Sequence, residues 1–179
     1  MTKRVFVSST FADLKDFRLA VQKSIRRLEA TDISMENFGA RDERPKDECL
    51  RLIAEESDFF VGIYAHRYGY VPAGEEISIT EAEYHAAVAA EVPTLVYLVN
   101  EATPWVPEYI DEGEAKERLR QFKKRLNAEH IRATFTTAED LAAQVAADLG
   151  RELAKKGVEA TDAGGRRTSL PPQPYFFGR

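Results

Sequence analysis

The chain has one cysteine, Cys49, so no disulfide can close within it and no cysteine-based zinc site can form from it alone. No apolar run approaches the roughly 20 residues that span a bilayer. The opening Met-Thr-Lys-Arg-Val-Phe-Val becomes a strand pattern at once, without the longer apolar stretch of a secretory leader. Neither sign of charge dominates. Thirty acidic and 25 basic side chains leave a net charge of −5 and no long basic stripe, which makes nucleic acid an unlikely main ligand. Also missing are a Gly-x-Gly-x-x-Gly turn, a phosphate-binding Gly-Lys-Ser/Thr loop and a nucleophile elbow. His66, His85 and His130 show no metal-ligand spacing, so no metal is expected. These absences describe a soluble, cytoplasmic protein with no membrane partner.

Apolar residues make up 44% of the chain, enough for a real core in one α/β domain with a tail. The rest is organised around residues 78–99. Ser78 or Thr80 can cap a helix, a carboxylate follows in its first turn, and alanines at 82, 86, 87, 89 and 90 let it lie close to a sheet. Pro93 stops the helix, and an apolar strand at 94–99 follows, as expected where helices cover both faces of a parallel sheet. Earlier in the chain, residues 3–7 predict a first strand and 11–29 an amphipathic helix with Leu14, Phe17, Val21, Ile25 and Leu28 on one face. Residues 32–38 predict a second strand, and a short helix carries Cys49, Leu50 and Ile53. Residues 58–64 give the strongest strand signal, and an aromatic, glycine-punctuated loop follows at 66–74. After a loop around Trp105, a helix is expected at 112–126, a fifth strand within 128–135 and a last helix at 137–155 capped by Thr136 or Thr137. Regular alternation of this kind implies a flavodoxin-like, three-layer α/β sandwich on a five-stranded parallel sheet. Residues 1–156 would form this domain and 157–179 a linker, where the apolar period ends and Leu-Pro-Pro-Gln-Pro-Tyr-Phe-Phe-Gly-Arg closes the chain.

Ligands of such sheets bind beyond the carboxyl ends of the strands. Four pieces of this chain are expected there: Ser8, Ser9, Thr10 and Phe11; the loop from Arg41 to Lys46; the loop at 65–74 with Tyr68; and the helix start with Glu81 and Glu83. They offer hydroxyls, a helix start after Thr10, arginines, aromatic faces and carboxylates, a set suited to a nucleotide. A well-placed carboxylate can stabilise the oxocarbenium-like state of a breaking glycosidic bond, and Glu83 is the candidate, with Glu81 in reserve. Each residue also has a structural reading. Ser8 to Thr10 can serve as a turn and cap, Tyr64 and Tyr68 as core edge, Cys49 as a small buried hydrophobe, and the acids as complements to a helix dipole. Asp13 and Asp16 are expected on the solvated side of their helix.

Three stretches carry a resemblance: Val-Phe-Val-Ser-Ser-Thr-Phe-Ala-Asp-Leu at 5–14, Ser-Asp-Phe-Phe-Val-Gly-Ile-Tyr-Ala-His-Arg-Tyr-Gly-Tyr at 57–70 and Ser-Ile-Thr-Glu-Ala-Glu-Tyr-His-Ala-Ala at 78–87. Together they resemble domain of unknown function family 4062, a TIR-like family typically found at the N-terminus of STAND NTPases. The resemblance implies the flavodoxin-like TIR fold. The ending Phe-Phe-Gly-Arg, reached through prolines, is similar to the approach to a STAND nucleotide-binding module, which would make 157–179 a linker to absent NTPase and sensor modules. In the wider TIR and nucleoside deoxyribosyltransferase superfamily, a glutamate opens the helix before the fourth strand, and Glu83 with Pro93 matches that spacing. In enzymatic TIR domains this glutamate serves NAD glycohydrolase or cyclase activity, and loops after the first and second strands form the pocket. Carried over, the pocket residues are Ser8, Ser9, Thr10 and the segment from Arg41 to Arg44; beside them, Tyr64 or Tyr68 is expected to stack on the nucleotide. The chain departs from the pattern at Ile79, where many TIR domains have an aromatic, and in the loop 68–74.

The leading expectation is therefore a TIR-like effector or signalling domain of a bacterial STAND-type defence protein. It would bind and hydrolyse NAD or a related nucleotide when copies oligomerise. Two others stand beside it: a non-catalytic adaptor that self-associates through helix surfaces, and a nucleoside deoxyribosyltransferase-like enzyme.

Overall fold

The computed structural model describes residues 1–34 and 45–164. Five parallel strands form one sheet: β1 (Arg4–Ser8), β2 (Thr31–Ile33), β3 (Phe59–Tyr64), β4 (Thr94–Val99) and β5 (Ala133–Phe135), in the order β2-β1-β3-β4-β5. This is the flavodoxin-like order, whose switch point lies between β1 and β3. Their pairing sets Val5 beside Phe59 and Ser8 beside Gly62. The middle strand is β3, and all six of its residues are buried.

Five helices cover the two faces: α1 (Lys15–Arg27), α2 (Pro45–Glu56), α3 (Ile79–Ala89), α4 (Gly113–Glu129) and α5 (Ala138–Gly164). Alternating strand residues feed two cores, as period-2 geometry requires. Val5, Val7, Val61 and Ile63 meet Leu14, Val21, Ile25, Leu141, Val145 and Leu149 on the α1 and α5 face. Phe6, Phe60 and Tyr64 meet Cys49, Ile53, Tyr84, Leu119 and Phe122 on the other. Among the described residues, no helix is long and apolar enough to cross a membrane.

Several boundaries differ from expectation. Helix α1 starts at Lys15, not Phe11; residues 11–14 form turns, and Leu14 takes the N-cap position without a side-chain cap bond. No helix start therefore follows Thr10 directly. The second strand spans Thr31–Ile33 and ends before Ser34, and residues 35–38 of the stretch expected as strand lie outside the described residues. Helix α5 does not end at 155 but runs through the expected boundary at 156 to Gly164. At α3, Ser78 is the cap, its hydroxyl accepting from the Glu81 amide at 3.2 Å. The helix stops before Pro93, where Glu91 turns to φ 56.

Candidate functional site

The candidate site at the switch point is built from the end of β1, the end of β3 and the first turns of α3. Ser8 is the last residue of β1 and is buried. Its hydroxyl donates to Glu83 Oε2 at 2.6 Å, joining two residues 75 positions apart. Glu83 lies on the second turn of α3 and is 4% exposed. Burial raises its pKa from 4.5 to about 7, while the Ser8 hydroxyl, the Arg18 charge and the Cys49 thiol pull it down. A carboxyl in this state is poised between acid and carboxylate near neutral pH.

Around Glu83 sit Arg18, to which the sequence gave no role, Cys49, expected as a small buried hydrophobe, and Tyr64, expected to stack on a base or to form core edge. Arg18 is buried and donates to the Ser9 hydroxyl at 2.7 Å, pinning the turn after β1. Its signal was visible: Arg18 and Gln22 interrupt the apolar stripe of α1 at four and eight residues beyond Leu14, and both are buried. Cys49 is the small buried residue expected, but it touches Glu83, and burial together with that acid pushes its thiol up to about 12. A thiol so held is no nucleophile. Tyr64 lies back over Gly62, where a Cβ would clash with its hydroxyl. That hydroxyl is buried near Ser8 and Glu83 without completing a hydrogen bond, and burial raises its pKa well above the usual value.

Glu81 goes elsewhere. It accepts from Tyr68 Oη at 2.5 Å and lies 3.2 Å from His85 Nε2 and 3.4 Å from Arg125 Nη1. Tyr68 Oη also receives the Ser78 amide at 3.3 Å, so this network ties the loop after β3 to the start of α3 and to α4. Tyr64 and Tyr68 are both buried, and Tyr64 packs edge-on against Phe122 at 5.1 Å. Neither ring presents an open stacking face. Thr10 is buried, with its methyl carbon 3.4 Å from where a Cβ on Gly69 would stand. Ser9 donates to the Thr10 carbonyl at 2.7 Å. Phe11 is 54% exposed on the turn after β1. Arg41 and the loop around it lie outside the described residues. The structure thus joins Ser8 to Glu83 with Tyr64 beside them, and sets Tyr68 and Glu81 in a separate network.

Asp13 also differs from expectation. It is not solvated: both carboxyl oxygens are buried without a hydrogen-bond partner, and burial raises its pKa.

No curated protein sequence matches the chain. Two solved structures are similar to it at low identity. The TIR domains of the activated Roq1 resistosome, which directly recognises the pathogen effector XopQ, share 13% identity with a TM-score of 0.45, over 81% of this chain and 84% of that one. A diflavin flavoprotein A3 from Nostoc sp. shares 12% identity with a TM-score of 0.48, over 89% of this chain and 97% of that one. Residues 4–150 match the family described as domain of unknown function (DUF4062), and the chain belongs to that family.

Proposed function

We propose that this chain is a TIR-like effector module that binds NAD or a related nucleotide and hydrolyses its N-glycosidic bond. The observation that carries the reading is the Ser8–Glu83 pair, a buried carboxyl at the switch point with its pKa raised to about 7. In this mechanism the ionised Glu83 accepts from the ribose hydroxyls and faces the positive charge that grows on the anomeric carbon. The electrons of the breaking bond move to the pyridinium nitrogen, which leaves as neutral nicotinamide. Water then adds to the anomeric carbon and releases its proton. Ser8 orients Glu83, while Ser9, held by Arg18, and Arg41 serve the phosphates. The three motifs at 5–14, 57–70 and 78–87 support the wider reading, in which 157–179 links to NTPase and sensor modules of a STAND-type defence protein and copies assemble for activity.

The test is NAD turnover by concentrated or artificially clustered protein. Glu83→Ala should lower it by about 100- to 1,000-fold, the usual loss of an electrostatic stabiliser, and Glu81→Ala should not. Absence of turnover in clustered protein, with no nucleotide binding by calorimetry, overturns the proposal.

The second reading is a non-catalytic adaptor. It is favoured by one observation: Glu83 is buried and lines none of five cavities of about 320–410 Å³ found among the described residues. Base exchange on deoxynucleosides would instead mark a deoxyribosyltransferase-like enzyme.

A further inference from the structure

On the sheet face opposite Glu83, three residues carry buried polar atoms with no hydrogen-bond partner: both carboxyl oxygens of Asp13, Thr103 Oγ1 and Trp105 Nε1. All three line one cavity of about 410 Å³, between the first turn of α1 and the connection after β4. Among the described residues only Tyr64 has another such atom. Folded proteins pair more than about 90% of buried polar groups, and an orphan costs about 1–3 kcal/mol. Three of them belong to residues that wall one hollow, with the orphan atoms turned from its open space.

The walls suggest its chemistry. Phe17 and Trp105 stand with ring centroids 5.5 Å apart, and Tyr109, Pro104 and Val106 complete an apolar side. Asp16 adds a second carboxylate, Lys15 lies beside it and Thr136 closes the far end. We propose that this cavity binds a small organic cation, an ammonium or guanidinium on a molecule the size of a free basic amino acid, with Asp13 as its counter-ion. An unpaired buried carboxylate is stabilised by a cation, and aromatic faces attract one. Burial, with Asp111 adding to it, makes ionised Asp13 unfavourable; the Thr10 hydroxyl, the Asp13 amide and Arg67 offset this in part, and neither carboxyl oxygen completes a hydrogen bond. The Trp105 N–H and Thr103 hydroxyl take an acceptor atom on the same ligand. The volume is in the range of small-molecule sites, about 300–1,000 Å³. Because the orphan atoms are shielded from solvent, binding displaces the segment around Trp105. That segment is tied at its ends, by Thr103 N to Asn100 O at 2.9 Å and Asp111 N to His66 O at 2.9 Å.

Trp105 is the only tryptophan, so its emission reports the site directly. The full chain is titrated with agmatine and with L-arginine at constant ionic strength, sodium chloride serving as control. The expected result is a saturable change in emission, at least about tenfold weaker in affinity for Asp13→Asn and unchanged for Glu83→Gln. That last variant separates this site from the nucleotide proposal. Asp13→Asn removes a buried charge that has no partner, so its thermal midpoint should hold or rise. Should it not fold, Asp16→Asn and Trp105→Phe are followed by calorimetry, and full affinity in both overturns the proposal. No saturable response to either probe up to about 10 mM, or an undiminished one in Asp13→Asn, also overturns it, leaving water as the partner.

Discussion

Glu81 and Glu83 sit two residues apart on one helix and face different worlds. Residues at i and i+2 of a helix do not share a face. Glu81 turns toward Tyr68, His85 and Arg125, where donors and charge hold it as an anchor. Glu83 turns toward the end of β1, meets one hydroxyl and a thiol, and has its pKa raised to about 7. The same residue type on the same helix becomes a tie in one direction and a titratable group in the other. Surroundings decide the role, not the helix.

The contrast can be broken most severely in turnover. Glu83→Gln keeps size and hydrogen-bonding capacity but removes the charge, and NAD hydrolysis should fall about 100- to 1,000-fold. Glu81→Gln should leave the rate within a few-fold. Equal losses would show that the two acids act through one structure. Across pH, wild-type turnover should rise as Glu83 ionises, reaching half its plateau near pH 7.

Stability gives the next effect. Glu83 binds its proton more tightly folded than unfolded, so its contribution is full below about pH 4.5 and is lost as pH rises through about 7. The difference amounts to about 3 kcal/mol. Urea unfolding at pH 5 and pH 8 should show wild type losing stability over this window by more than Glu83→Gln does. A parallel pair of profiles would mean that Glu83 does not titrate there.

On the Glu81 side, Glu81→Gln should destabilise the fold by about 1–2 kcal/mol, because Tyr68 Oη loses a charged acceptor in a buried setting. Arg125 is half-exposed, so its share is small. Tyr68→Phe should give a similar loss, and the double variant should show coupling, measured by a thermodynamic cycle. Smallest of all, Ser8→Ala removes a donor that favours the ionised acid. The apparent pKa of Glu83 should move further up, measured by carboxyl NMR, whereas Tyr68→Phe should leave it in place.

Much of this was legible in residue order. The strands at 59–64 and 94–99, a cap at Ser78 or Thr80 and the stop before Pro93 follow from period, cap and breaker chemistry. What was not legible depended on contacts distant in sequence. The spacing that singled out Glu83 says nothing of its partner, Ser8, 75 residues away. Asp13 resembles an ordinary solvated acid until the turn at 11–14 and the Trp105 segment enclose it. The late end of α5 was missed for a different reason. Its apolar period ends near Leu153, whereas the residues after it, Ala154, Lys155, Lys156, Glu159 and Ala160 among them, are good helix formers.

That last helix has a mechanical consequence. At 27 residues α5 is about 40 Å long, roughly twice α1. A continuous rod carries rotational phase as well as direction. Adding or removing one residue between 157 and 164 would turn the end of the helix at Gly164 through about 100° about its axis.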